Sequence, residues 1–136
     1  MTTSTTVVRD RAPGELVIEQ LLEVQAEARP RSGFARFLGL SPLSEDSASW
    51  YQGALGEIAV GRILTRLPDG WTVFHALPIG AQNSDIDHLV VGAGGVFTIN
   101  TKHHRGKTIW VADNTFMVSG QRQRHLRYAA YEADRV

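Results

Sequence analysis

The chain has 136 residues, 43% of them hydrophobic and 21% charged, which is the make-up of one globular domain with a core rather than two. It has no cysteine, so a disulfide framework and any thiolate metal site are excluded, and a cytoplasmic setting is expected. Fourteen basic and fourteen acidic residues cancel overall, but residues 1–101 carry 7 basic and 11 acidic groups and residues 102–136 carry 7 and 3. A basic last third suits phosphate, or simply a solvated helix.

The first residues, MTTSTTVVRDRAPG, read as a flexible tail over 1–13, with no apolar stretch of the signal-peptide kind. No apolar run approaches the roughly 18 residues of a membrane span, so no membrane partner is expected. GELVIEQLLEVQAEAR (14–29) interleaves Leu16, Ile18, Leu21, Leu22 and Ala26 with Glu and Gln, which predicts a helix stopped by Pro30. A Gly- and Pro-containing connector completes an N-terminal segment over 14–45. A second helix is predicted from Asp46 or Ser47, as cap, to about Leu67, with Leu55, Ile58, Ala59, Ile63 and Leu67 at helical spacing. Its glycines Gly53, Gly56 and Gly61 each cost roughly 1 kcal/mol against alanine. That cost makes sense where another backbone packs close.

After the turn LPDG (67–70) the pattern changes to strands: WTVFHAL (71–77), DIDHLVVG (85–92) and GVFTINTK (95–102), with GAGG (92–95) as a tight hairpin connection. KTIWVAD (107–113) and TFMVSG (115–120) predict another hairpin turning at Asp113-Asn114. QRQRHLRYAAYEADRV (121–136) reads as a helix with no Gly or Asn to end it, as in a fragment of a longer chain.

Side chains alternate faces along a strand, so Asp85 and Asp87 share one face, as do Asn100 and Lys102 on the next strand. Counting outward from Ala93-Gly94 in an antiparallel hairpin sets Asp87 near Asn100 and Lys102 near Asp85. Oxygen donors gathered this way suit a divalent cation that keeps several waters, and a lysine beside them could orient a water for attack on phosphorus. The plainer alternative is an Asp–Lys pair across a hairpin. His103 and His104, with His88, raise the thought of zinc, but neighbouring strand residues point opposite ways. Arg105 and Lys107, and Arg122, Arg124 and Arg127, are either phosphate contacts or solvated charges. No Ser-His-Asp arrangement or nucleotide-binding glycine loop is present.

GALGEIAVGRIL (53–64) followed by LPIGAQNSDIDHLVVGAGGVFTINTKHHRG (77–106) resembles the nuclease-related domain, a branch of the PD-(D/E)xK nuclease superfamily. The most specific piece is IDHLVVGAGGVFTINTK, and the likeness spans about residues 50–135, within a domain taken as 46–136. It implies an α/β, restriction-endonuclease-like core: a helix, a mixed sheet of three or more strands and a further helix, with the sheet incomplete at the C-terminus. It implies metal-dependent hydrolysis of DNA, with DNA as the expected partner and RNA as a second candidate. Asp87 would bind Mg2+ or Mn2+, helped by the Asn100 side chain and the Thr101 backbone carbonyl. Lys102 matches the lysine of the signature, Glu57 the acid on the preceding helix, and Gln123 (or Gln121) a glutamine on the following one. Asn100 stands where the signature has Glu. A unit charge about 4 Å from a cation is worth about 4 kcal/mol per metal charge at an effective dielectric near 20, before desolvation cancels much of it. Weaker metal binding is expected, with Glu57 or Asp85 able to make up the charge. The alternative is a catalytically inactive nuclease fold that binds nucleic acid or protein.

Overall fold

A computed structural model describes residues 10–27, 45–79 and 84–136. In chain order these form helix α1 (Glu15–Glu27), helix α2 (Glu45–Leu64), strands β1 (Thr72–Ile79), β2 (Ser84–Gly92), β3 (Gly95–Ile99), β4 (Ile109–Ala112), β5 (Thr115–Val118) and β6 (Gln121–Gln123), and helix α3 (His125–Ala133). The fold is α/β. The expected connector after α1 and most of the expected tail lie outside the described residues.

The strands make two three-stranded sheets, β1-β2-β3 and β4-β5-β6. Every pairing among the described residues is antiparallel. Two-residue turns join β2 to β3, β4 to β5 and β5 to β6; a parallel pair needs a crossover of a dozen residues or more. The β2–β3 ladder runs from Gly92↔Gly95 to His88↔Ile99, which is the register counted from GAGG. β2 is the central strand of its sheet, and its Ile86 and Val90 join Ala54, Ala76, Ile79 and Val118 as the buried apolar residues among those described.

Two elements depart from their sequence patterns. The helix expected over 121–136 starts only at His125, because Ser119 and Gly120 both take positive φ (50° and 79°) and turn the chain back on itself. Gln121–Gln123 then pairs with β5 (Val118↔Gln121, Phe116↔Gln123), as a two-residue turn with positive φ at both positions favours. β3, expected to run to Lys102, stops at Ile99 because the Thr101 N–H goes to a carboxylate instead of a ladder partner.

Helix α2 also turns a different face inward from the one its apolar residues suggest. The helix ends at Leu64, short of the expected Leu67; Leu55 and Ile63 on it are exposed, while Ser47, Ala54, Glu57 and Gly61 are buried. The inward stripe is small or polar because the neighbours come close. A Cβ at Gly61 would lie 2.4 Å from Cγ of Pro13, and one at Gly56 would lie 3.3 Å from Cγ2 of Thr101. Pro13 belongs to the end of the expected tail. Arg11 is likewise tied down, its Nη1 donating to the Ala76 carbonyl at 3.1 Å.

Candidate metal centre

The site is built where β2 passes the segment leaving β3. Asp87, only 6% exposed, accepts the Thr101 backbone N–H on Oδ2 at 2.5 Å. Its carboxylate therefore faces residues 100–102, as the hairpin count predicted. Across the β1–β2 ladder from Asp87, the fully buried Ala76 takes φ 49°, between the pairs His75↔His88 and Leu77↔Ile86. Strained backbone of this kind persists only where the surroundings impose it.

Helix α2 brings Glu57 to the same place, and Gly56 next to it lets the helix approach Thr101 and His103. Glu57 is 4% exposed, and its Oε2 is buried with no hydrogen-bond partner. Burial, then the charges of Asp87 and Asp85, push its pKa up to about 8, against the opposing pull of Lys102 and the Gly14 N–H. Burial raises Asp87 as well, opposed by the Thr101 N–H and by Lys102. It also raises Asp85, opposed by Lys102, the backbone N–H of Asp85 and Arg11. Lys102 is exposed, and its charge reaches all of these acids.

Helix α3 contributes a residue that the sequence pattern did not single out. Asn100 Nδ2 donates to Glu132 Oε1 at 2.5 Å. Glu132 is 6% exposed, and its Oε2 is buried without a partner. Burial raises its pKa, opposed by the Asn100 bond; the charges of Asp87 and Asp85 push it further up and Lys102 pulls it down. The one available signal was spacing: His125, Ala129 and Glu132 fall on one helical face, and all three are at least partly covered. Arg11 had no signal of any kind in the sequence.

These donors fit a hard divalent cation. They are all oxygens, and two carboxylate oxygens are buried without partners, which native proteins rarely leave so. Among the described residues no three acidic or imidazole groups stand close enough to close a cage on their own.

The histidines are spread over separate places, which removes the zinc arrangement. His88 is fully buried against His75, Nδ1 to Nδ1 at 2.8 Å, and burial, then His75, pushes its pKa down to about 4. His104 meets His125 at 3.1 Å, and His103 lies 3.2 Å from the Gln52 carbonyl. Gln123 sits on β6, not on the following helix, and its amide donates to the Gln121 carbonyl at 3.3 Å. Its expected helical placement is thus corrected; the helix residue that reaches Asn100 is Glu132. Arg105 and Lys107 are exposed between β3 and β4, as are Arg122 on β6, Arg124 just before α3 and Arg127 on α3.

No curated protein and no solved structure gives a match to this sequence. The family model of the nuclease-related domain matches residues 52–133, which run from helix α2 through both sheets to the end of α3 and take in Glu57, Asp87, Asn100, Lys102 and Glu132. On that match, over more than half of its length, the chain belongs to the nuclease-related domain family.

Proposed function

We propose that the domain hydrolyses phosphodiester bonds of DNA with the help of a divalent cation, Mg2+ or Mn2+. The observation that carries this reading is the Asp87 carboxylate held against the Thr101 amide, with Asn100 and Lys102 on either side and the unpartnered Glu57 oxygen arriving from α2. The residues that would hold the ion are Asp87, the Asn100 carbonyl oxygen and the Thr101 backbone carbonyl, with Glu57 completing the set or holding a water on it. When bound, the ion polarises the phosphoryl oxygen and lowers the pKa of a water.

The chain's own groups do the rest. Lys102, exposed beside these acids, orients the attacking water and meets the charge that builds on phosphorus. Glu57 is largely protonated at neutral pH without metal, so binding an ion there displaces a proton. Arg105, Lys107, Arg122 and Arg124 receive the flanking phosphates, whose contacts position the strand without reading sequence.

The test is incubation with supercoiled plasmid in Mg2+ or Mn2+. Cleavage is expected, with losses of at least about 100-fold in Asp87→Ala and Lys102→Ala. Cleavage unchanged in both variants would remove this site from the reaction. Asn100 favours a second reading, an inactive domain that only binds nucleic acid. Salt-sensitive binding without cleavage, and cleavage gained in Asn100→Glu, would support it.

A further inference from the structure

The geometry points to Glu132, on the last helix, as the second carboxylate of the metal centre, standing in for the acid that Asn100 lacks. The inference rests on the nuclease reading above. It starts from what Asn100 does with its amide. An asparagine has one donor group and one acceptor oxygen. Here the donor is spent on Glu132 Oε1 at 2.5 Å. This fixes which end of the side chain faces α3 and leaves Asn100 Oδ1 free of that contact.

The second oxygen of Glu132 is the deciding feature. Oε2 is buried and unpartnered on a residue 6% exposed. A carboxylate serving only to anchor Asn100 has no need to bury a second oxygen without a donor, and a buried charge without partners is costly. Glu57 presents the same unsatisfied arrangement from α2. Both are within electrostatic reach of Asp85, Asp87 and Lys102. A cation held by Asp87 and Glu132 relieves the Glu132 oxygen, and Glu57 is left to hold one of its waters. Charge at position 100 is then unnecessary, because α3 carries it 32 residues further along the chain.

The experiment is calorimetric titration of the full chain with MnCl2, so the readout is affinity and not cleavage. Glu132→Gln keeps an acceptor for the Asn100 amide and removes only the charge. It is expected to weaken Mn2+ binding at least about tenfold. The double variant Asn100→Asp/Glu132→Gln moves the charge back to position 100, keeps a hydrogen bond between the two and is expected to recover most of the affinity. Unchanged affinity in Glu132→Gln, beside loss in Asp87→Ala, overturns this inference and leaves the nuclease reading standing. Loss in Glu132→Gln that the double variant does not recover also overturns it, since Glu132 then only positions Asn100. Failure of the unaltered chain to bind Mn2+ sinks the nuclease reading itself, and this inference with it. If Glu132→Gln does not fold, Glu132→Met, which removes the charge and keeps about the same bulk, gives the same comparison. Undiminished affinity there overturns the proposal.

Discussion

Glu57 sits in an environment far from water. Its ordinary pKa of 4.5 rises to about 8 in the folded chain, through burial and two neighbouring aspartates. The unfolded chain therefore releases this proton near pH 4.5, while the folded chain keeps it until near pH 8. Stability from the protonated form is complete below pH 4.5 and is lost as pH climbs toward 8. Asp85, Asp87 and Glu132 are shifted the same way. In metal-free buffer Glu57→Gln should melt close to the unaltered chain at pH 5 and several degrees above it at pH 8. Thermal melts in EDTA across that range check this. A gap of equal size at both ends would mean that the carboxyl is not held protonated.

At the level of elements, helix α2 matters through what it lacks on its inner face. Gly61 has the Pro13 ring 2.4 Å from where a Cβ would sit, and a ring fixed to the backbone cannot step aside easily. Gly53, on the same helix, would meet only Val17 Cγ1 at an ordinary 3.6 Å. Alanine gains roughly 1 kcal/mol over glycine in a helix, and overpacking costs roughly 1–3 kcal/mol. Gly53→Ala should therefore stabilise by about 0.5–1 kcal/mol and Gly61→Ala destabilise by about 1–2 kcal/mol, as net effects of those two opposing contributions. Urea titration of the pair decides it. Similar gains in both would show that the first residues do not pack on α2. The β2–β3 hairpin, by contrast, was legible before any coordinates. The alternation of side chains and a two-residue turn fix which residues face each other, and the ladder follows that count.

For the whole molecule, the balance of charge is regional. Exposed Lys102, Arg105, Lys107, Arg122, Arg124 and Arg127 all come from the last third of the chain. On the nuclease reading, DNA affinity should fall steeply with salt, by about 0.9 in the log–log slope for each phosphate neutralised. Arg105→Ala/Lys107→Ala should then flatten that slope by about 2, measured by fluorescence anisotropy on a short duplex between 50 and 200 mM salt. A parallel slope would place these two residues away from the nucleic acid.

The sequence by itself determined the family, the α/β order of elements and the hairpin that faces Asp87 toward Asn100 and Lys102. These rest on local spacing and on a short, specific stretch of residues. Tertiary structure alone decided that Glu132 joins the acids the sequence had named. Burial of the polar face of α2, the turn at Ser119-Gly120 that delays α3, and the docking of α3 that brings Glu132 to Asn100 all depend on packing between segments far apart in the chain. Side-chain periodicity carries no information about which distant surface a helix will meet, so a glutamate in a basic helix looks like solvent decoration until the fold closes around it.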